Sequence, residues 1–210
     1  PPVAEDRPVM PNILVVSGAS RPESHLRSAV GHAVRFAEST GGTVRLCDLA
    51  ATRLPIMEDG SDDLGSHPDV VRVRADARWA EGFVLVTPEY HGNMSGALKN
   101  WFDFLWLELA GKFAGVISVT GGGGGDMSII AVKTCFAWCH GFTLPFHAAV
   151  RPDDFAGDEI VGPRVLDRIA RICHDVARYA PVVHATFQAA RRLGGGIEAG
   201  VAGMHIGDYG

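Results

Sequence analysis

Three segments of the chain carry residue types that bind anions and flat polar rings. The first, from Ser17 to Leu26, combines a glycine, several serines and the guanidinium of Arg21 just before a predicted helix. Backbone N–H groups at a helix N-terminus and the fork of an arginine both bind phosphate. Because the segment lacks the glycine patterns of dinucleotide and nucleoside-triphosphate sites, it predicts a monophosphate site. The alternative is a serine-rich helix cap.

The second segment, TPEYHGNMSGALKNWFD, begins at Thr87. Pro88 fixes the backbone where a predicted strand ends, and Gly92 permits a tight return. Such a loop can offer N–H groups to a flat ring, with Tyr90 as an aromatic wall. His91 is a candidate proton donor, although a single loop histidine is more often only a contact. The alternative is that Tyr90 and His91 are ordinary loop residues.

The third segment is a run of five consecutive glycines, Gly121 to Gly125, directly after Thr120. Glycine loses more conformational freedom on folding than other residues, so such a run needs a reason. Close approach of the backbone to a ligand is one reason, and the amides would then face negative charge on that ligand. The alternative is a flexible loop.

These segments follow strands of a predicted parallel sheet, because short apolar runs alternate with stretches of helical periodicity. The predicted strands are 12–17, 43–48, 83–87, 113–120 and a broken fifth strand, 142–150. The predicted helices are 23–39, 68–80, 95–107, 126–140 and 162–192, the last kinked or split at Pro181. Ligands of doubly wound folds bind beyond the carboxyl ends of the strands. The three segments follow strands 1, 3 and 4, where such a site is expected.

Composition excludes several classes of protein. The 210 residues are 47% hydrophobic and 20% charged, which excludes a disordered chain. Apolar runs of about five residues fall far short of the roughly 20 that a membrane span needs. The 19 basic and 24 acidic residues argue against nucleic acid as a partner. The four cysteines show neither a disulfide framework nor zinc spacing, which predicts reduced thiols, no metal and a cytoplasmic protein.

The domain division predicted from the sequence is one main unit with two flanking segments. The main domain covers residues 12–193, after an N-terminal extension at 1–11. The glycine-rich tail 194–210 lacks periodicity and is predicted to be an extended or mobile arm.

Over residues 12 to 180 the chain resembles the NADPH-dependent FMN reductase family, which includes azoreductases, chromate reductases and quinone reductases. The family's Gly-Ser-x-Arg-x-x-Ser loop is matched by Gly18, Arg21 and Ser24. Its Pro-Glu-Tyr-Asn-Gly and Gly-x-Leu-Lys-Asn-x-x-Asp segments are matched by Pro88, Glu89, Tyr90, Gly92, Gly96, Leu98, Lys99, Asn100 and Asp103. Its Ser/Thr-Gly-Gly loop is matched by Thr120, Gly121 and Gly122. Two positions differ, since Ala19 replaces a frequent Ser and His91 replaces the usual Asn.

The resemblance implies an α/β, flavodoxin-like three-layer sandwich with a five-stranded parallel sheet in the order 2-1-3-4-5. It implies that FMN is the cofactor and that its phosphate is surrounded by Ser20, Arg21, Ser24 and His25. The residues expected to flank the ring are Pro88, Glu89, Tyr90, His91 and Gly92 on one edge, and Thr120, Gly121, Gly122 and Gly123 on another. No catalytic side chain and no metal are expected.

The resemblance also implies the reaction. A hydride passes from NADPH or NADH to flavin N5 and then to a small-molecule acceptor (flavin, quinone, azo or nitro compound, or metal oxyanion) by a ping-pong mechanism. Family members are homodimers or homotetramers, with Lys99, Asp103 and the aromatic helix near the subunit contact.

Three alternative functions compete with this interpretation. A flavodoxin-like electron-transfer protein serving a protein partner is disfavoured by the modest net charge of −5 and by the Pro-Glu-Tyr segment. A phosphoacceptor receiver domain needs an aspartate at the end of strand 3, where Thr87 and Pro88 stand. A specialised family member that uses FMN slowly in a biosynthetic or redox-sensing role stays open.

Overall fold

The computed structural model describes residues 10–204, so positions 1–9 of the predicted extension and 205–210 of the predicted arm lie outside the described residues. The main sheet contains six strands: β1 Asn12–Ser17, β2 Thr43–Asp48, β3 Gly82–Pro88, β4 Phe113–Val119, β5 Phe142–Thr143 and β6 Ala148–Val150. All its pairings are parallel, in the order β2-β1-β3-β4-β5, and β6 also pairs with β4. The predicted strand order is confirmed. The fifth strand is broken as predicted, because β5 pairs with the start of β4 and β6 with its end.

Five helices cover the two faces of the sheet: α1 Leu26–Ser39, α2 Pro68–Trp79, α3 Gly96–Asp103, α4 Asp126–Trp138 and α5 Pro163–Arg191. One apolar core joins the sheet to α1 and α5, and the other joins it to α2, α3 and α4. Ile13 and Val15 of β1 face the first core, and Leu14 and Val16 face the second. Both faces of the strands are therefore apolar, as a covered parallel sheet requires.

Helix α5 lies close against the sheet because two strand residues opposite it are glycines. A Cβ atom at Gly115 would lie 2.3 Å from Ile172, and one at Gly82 would lie 2.7 Å from Val176. The helix runs unbroken through Pro181, so of the two predicted effects of this proline, a split is excluded and a kink stays a prediction. Ala180 and Phe187, on either side of the proline, are buried, and their packing holds both halves of the helix in place.

Two helices, α1 and α3, are shorter than the sequence predicts by three residues or more. Helix α1 begins at Leu26 rather than at Glu23, because the hydroxyl oxygen of Ser24 accepts a hydrogen bond from the Leu26 amide and keeps the preceding loop outside the helix. Helix α3 ends at Asp103, and the aromatic stretch after it continues into a short 3₁₀ turn, 107–109. Ser95 is the N-cap of α3, and its hydroxyl accepts a hydrogen bond from the Leu98 amide.

Two elements have no counterpart in the sequence prediction. An antiparallel hairpin follows β6, with β7 Phe155–Ala156 pairing with β8 Glu159–Ile160. The segment Ile197–Gly203 forms 3₁₀ turns, and its Ala199 and Ala202 are buried. The expectation of an extended or mobile arm is therefore wrong for the tail up to residue 204, because Ala202 there packs against Phe187 of α5.

The described residues give two further results. No helix in residues 10–204 has both the length and the apolar character needed to cross a bilayer. The four cysteines are free, and three of them, Cys47, Cys139 and Cys173, are buried. Burial raises the pKa of the Cys47 and Cys173 thiols to about 12 and that of Cys139 to about 11, so these sulfurs stay protonated near neutral pH.

Candidate functional site

The loops after β1, β3 and β4 meet at the carboxyl edge of the sheet around one cavity. Its volume is about 590 Å³, within the range of ligand pockets. The lining residues are Arg21, Ser24, His25, Leu26, Pro88, Glu89, Tyr90, Val119, Thr120, Gly121, Pro152, Phe155 and Gly157. All three predicted segments therefore contribute to one site.

Ser95 fastens the loop after β1 to the start of α3. Its hydroxyl donates a hydrogen bond of 2.6 Å to the Gly18 carbonyl and accepts one of 3.1 Å from the Leu98 amide. The Gly18 amide donates to the carbonyl of Val86 in β3, at 2.8 Å. A Cβ atom at Gly18 would lie 3.0 Å from that carbonyl oxygen, so glycine is needed here for packing on β3.

Glu89 fastens the loop after β3 to the glycine run. Its carboxylate accepts hydrogen bonds from the Gly125 amide at 3.4 Å and from the Ser128 amide at 3.2 Å, at the start of α4. A carboxylate at a helix N-terminus is stabilised by the unpaired amides and by the helix dipole. Glu89 lines the cavity, yet its carboxylate is used to position the two loops, whereas the family resemblance implied a place beside the flavin ring.

Glycine is required for different reasons at different positions of the run Gly121 to Gly125. Gly125 has a φ of +79°, a conformation that favours glycine. A Cβ atom at Gly123 would lie 2.6 Å from the carboxylate of Glu89. Gly121 and Gly122 have open space in front of the Cβ position, so no neighbouring atom among the described residues explains them. Gly121 lines the cavity, and close approach of a ligand is the reason that fits it.

The amides of the glycine run also differ in availability. The Thr120 hydroxyl oxygen accepts hydrogen bonds from the Gly122 amide at 3.3 Å and the Gly123 amide at 2.9 Å. Neither Gly122 nor Gly123 lines the cavity. Within residues 10–204 no acceptor bonds the Gly121 amide. Gly121, Gly122 and Gly123 were expected at the edge of the flavin ring. Of these three, Gly121 is the one whose amide can donate a hydrogen bond to a ligand in the cavity.

Tyr90 to Asn93 form a two-residue hairpin turn. The Tyr90 amide donates to the Asn93 carbonyl at 2.9 Å, and the Asn93 amide donates back at 3.0 Å. His91 and Gly92 have φ angles of +52° and +72°, which is the conformation that favours the Asn-Gly sequence. Neither of these two residues lines the cavity. The turn instead holds the ring of Tyr90, which is 46% exposed, at the cavity wall.

The first loop divides between two cavities. Arg21, Ser24 and His25 line the main cavity, but Ser20 lines a separate space of about 410 Å³ beside Arg53 and the start of α3. Ser20 is therefore not brought together with the other predicted phosphate contacts. Among the described residues, no carboxylate forms an ion pair with Arg21.

The hairpin after β6 supplies site residues that the sequence prediction missed. Phe155, Pro152 and Gly157 line the cavity. His25 packs its ring edgewise on Phe155, with centroids 5.7 Å apart, and its Nδ1 lies 3.3 Å from the carboxylate of Asp158. The hairpin follows the last strand of the sheet at the same carboxyl edge, so the strand-end rule that selected the other loops would have selected it as well.

Sequence comparison with known proteins gives a consistent result. The NADPH-dependent FMN reductase family matches residues 11–154. The NADPH-dependent FMN reductase ArsH of Shigella flexneri is 30% identical over 86% of this chain and 72% of its own length. The ArsH of Rhizobium meliloti (strain 1021) is 31% identical over 67% of this chain and 58% of its own length. An NADPH azoreductase of Bacillus sp. (strain OY1-2) is 40% identical over 40% of this chain and 48% of its own length.

Solved structures support the same fold. FerB, a flavoenzyme NAD(P)H:(acceptor) oxidoreductase from Paracoccus denitrificans, superimposes with a TM-score of 0.66 at 18% identity, over 82% of this chain and 98% of its own. The apo form of the NADH:FMN oxidoreductase EMOB superimposes with a TM-score of 0.66 at 15% identity, over 80% and 89%. Likeness at these identities shows the flavodoxin-like fold, and the match at residues 11–154 shows the family. The chain belongs to the NADPH-dependent FMN reductase family.

Proposed function

We propose that this chain passes reducing equivalents from NADPH or NADH to a small-molecule acceptor, with FMN held in the cavity at the carboxyl edge. Its family makes it an FMN-dependent oxidoreductase that uses NAD(P)H. What we propose beyond the family is which residues hold FMN, that the reaction has two separate half-reactions, and which class of acceptor is reduced. The observation that carries it is the meeting of three family-motif loops around one cavity of about 590 Å³.

The residues present fit a phosphate-tailed flavin. Arg21 offers a guanidinium that no described carboxylate neutralises, and Ser24 offers a hydroxyl whose proton is not used by its bond from the Leu26 amide. Together they form the proposed phosphate site. Tyr90 and the Gly121 amide form the proposed ring site, where open space in front of Gly121 allows close approach. FMN bound there supplies an isoalloxazine ring that takes up and releases a hydride.

The chain's own contribution is binding and orientation. The Gly121 amide is a preorganised donor toward an oxygen or nitrogen at the ring edge, and such donors stabilise negative charge. Glu89 and Ser95 keep the three loops together, so they are positioning residues. No side-chain nucleophile is needed, and the buried thiols, held protonated by burial, are unsuited to that role.

One open cavity supports the proposed ping-pong order, because the oxidised nicotinamide has to leave before an acceptor takes the same place. The acceptors in the proposal are free flavins, quinones, azo and nitro compounds and metal oxyanions. Initial rates at several fixed acceptor concentrations should then give parallel double-reciprocal lines.

We further propose that two copies of the chain associate through an exposed apolar stripe on α4. The stripe consists of Met127, Ile130 and Trp138, which are 59%, 57% and 82% exposed. Exposed apolar patches of this kind mark association surfaces. Lys99 and Asp103 of α3, which pair with each other, border it. Sedimentation of the wild type and of Trp138→Arg tests the interface, with a monomeric variant as the expected result.

The free buried thiols support the proposed cytoplasmic location, because reduced cysteines are typical of that compartment.

The test of function uses the purified chain saturated with FMN. Anaerobic NADPH should bleach the bound flavin, and menadione or free FMN added afterwards should restore its colour over many turnovers. A protein that takes up no FMN contradicts the proposal. A protein that bleaches but passes electrons only to an added redox protein favours the flavodoxin-like alternative instead.

A further inference from the structure

A second cavity lies at the amino edge of the sheet, where no family motif occurs. Its volume is about 460 Å³, and its lining residues are Arg74, Arg78, Trp106, Leu107, Glu108, Ala110, Lys112, His184, Gln188 and Arg191. Lys112 directly precedes β4, whereas Thr120 of the proposed FMN cavity directly follows it. The seven strand residues between them correspond to roughly 23 Å at 3.3 Å per residue. The two cavities are therefore separate sites.

The lining of this cavity is strongly cationic. It includes Arg74, Arg78, Lys112 and Arg191, while Glu108 carries the one carboxylate among the lining residues. The whole chain has a formal net charge of −5, so this concentration of positive charge is local. A concave site with one sign of charge focuses the field and attracts counter-ions.

Glu108 neutralises this charge only in part. Its carboxylate lies 3.1 Å from the guanidinium of Arg78 and 3.8 Å from that of Arg74. Arg74 also donates to the Phe104 carbonyl at 2.9 Å, and the Lys112 ammonium donates to the Arg78 carbonyl at 3.0 Å. The carbonyl oxygens hold Arg74 and Lys112 in position but carry no full negative charge. These cations can therefore still attract an anion.

Two uncharged features point to more than a simple anion. Trp106 is 54% exposed and presents an indole ring at the cavity, and Gln188 adds an amide that can both donate and accept. The Nδ1 atom of His184 is sealed from solvent, so this side chain forms part of the cavity wall and does not present Nδ1 to a ligand. An aromatic face and paired polar groups suit a planar, polar-edged ring.

We propose that the amino-edge cavity binds a phosphate ester that carries a planar heterocycle, a mononucleotide in its chemistry. The arginines pair with the phosphate, because a guanidinium matches phosphate oxygens in a fork. Trp106 stacks on the ring, and the Gln188 amide bonds its edge. This site is independent of the FMN cavity and does not rest on the proposed oxidoreductase chemistry.

The experiment is calorimetric titration with AMP, inorganic phosphate and adenosine at low ionic strength. The protein is first loaded with FMN and then freed of unbound FMN by gel filtration, because FMN is itself a phosphate ester of a planar heterocycle. AMP should bind saturably and more tightly than either of its parts. Arg78→Gln should weaken AMP binding about tenfold, as expected for one charge-assisted hydrogen bond. Glu108→Gln should strengthen it several-fold, because the competing carboxylate is gone. Trp106→Leu should weaken AMP binding and leave phosphate binding unchanged.

Two control variants distinguish binding in this cavity from a general effect of surface charge and from binding in the FMN cavity. Arg178→Gln removes an equal charge from the exposed surface of α5 outside the cavity, and Arg21→Ala removes the proposed FMN-phosphate contact. Neither should change AMP affinity.

Four results would overturn the proposal. The first is that AMP shows no saturable binding, and the second is that Arg78→Gln and Arg178→Gln weaken AMP binding equally. The third is that Arg21→Ala is the one variant that loses AMP binding. The fourth is that Glu108→Gln weakens AMP binding, which would show that its salt bridge is merely structural. Failure of NADPH to bleach the flavin while AMP still binds would contradict the proposed function alone.

Discussion

The two edges of the sheet build their cavities from different parts of the chain. At the carboxyl edge, the walls are loop residues, and the polar groups include a backbone amide at Gly121 and short side chains. At the amino edge, long side chains projecting from α2 and α5, among them Arg78 and Gln188, form half of the lining, and the segment before β4 supplies the rest. Backbone-built sites leave glycine and proline patterns in the sequence, whereas side-chain-built sites draw residues from distant helices. A motif search therefore finds the first kind of site and overlooks the second.

The largest expected effect concerns a charge buried at the amino edge. Burial lowers the pKa of Lys112 from 10.5 to about 8. Between these values the unfolded chain binds a proton that the folded chain has released, so the free energy of unfolding rises with pH across this window. The full rise from this group is about 3 kcal/mol. The buried thiols of Cys47, Cys139 and Cys173 have raised pKa values and lower the free energy of unfolding across the same window, so the Lys112 contribution is measured as a difference. Urea denaturation between pH 7.5 and 10 should show the wild type gaining stability relative to Lys112→Met as the pH rises.

The surface variant Lys99→Met is the matched control for that experiment. It should keep the wild-type pH profile, because Lys99 is exposed on α3. Identical profiles for Lys112→Met and the wild type would show that the buried ammonium is not the group that titrates.

The next effect is a difference in FMN affinity between an arginine variant of one cavity and an arginine variant of the other. Arg21→Ala should lower FMN affinity about 30-fold, the size of one charge-assisted phosphate contact. Arg78→Ala should leave FMN affinity unchanged, because it lines the other cavity. Titration of FMN fluorescence with each protein measures both. Equal losses in the two variants would contradict the assignment of FMN to the carboxyl edge.

A smaller effect tests whether Gly125 serves the fold while Gly121 serves FMN binding. Gly125→Ala should destabilise the fold by about 1–2 kcal/mol, since a residue with positive φ is strained there and its Cβ would lie 2.9 Å from that of Ala149. Gly121→Ala should keep wild-type stability and lose FMN affinity, because its Cβ enters open space that the ligand would occupy. Thermal unfolding of the FMN-free proteins and FMN titration give the two readouts. The reverse pattern would refute the proposed ring site.

Glu89→Gln tests the link between two loops of the carboxyl-edge cavity. The amide keeps the shape of the side chain and loses the negative charge at the start of α4, at an expected cost of about 0.5–1 kcal/mol. Urea unfolding of the FMN-free protein measures this cost. High salt should reduce the difference from the wild type, because screening weakens the charge–dipole interaction. A salt-independent difference would indicate lost packing instead.

The smallest effect is expected at the hairpin turn. His91→Asn should raise the free energy of unfolding by a few tenths of a kcal/mol, because Asn-Gly suits two consecutive positive φ angles. The rate of flavin bleaching by NADPH should stay the same, since His91 does not line the cavity. A large fall in that rate would instead make His91 a contact of the nicotinamide or acceptor.

Most of the fold was predictable because its signals are local. Apolar runs marked the strands within about a residue at either end, and Pro145 marked the break in the fifth strand. The exact start of α1 was not predictable, because it depends on a hydrogen bond between Ser24 and Leu26. The folded tail was also missed, because Ala202 becomes buried through a long-range contact with Phe187.

The candidate site was predictable in outline but not in the use of each side chain. Arg21, Tyr90 and Gly121 line the cavity that the strand ends select. Glu89 belongs to the same motif, yet its carboxylate bonds the start of α4, a partner 36 to 39 residues away in sequence. Spacing along the chain indicates that such a residue matters but does not say which neighbour it serves.

The packing of the tail on Phe187 has a practical consequence. The cluster of Ala110, Phe187 and Ala202 lies beside the start of β4, so Met204 lies near the sheet edge opposite the proposed FMN cavity. Met204 is 67% exposed and accepts chemical attachment without disturbing that cluster. A tether placed there would immobilise the molecule on an electrode or bead with the proposed FMN cavity turned toward the solution.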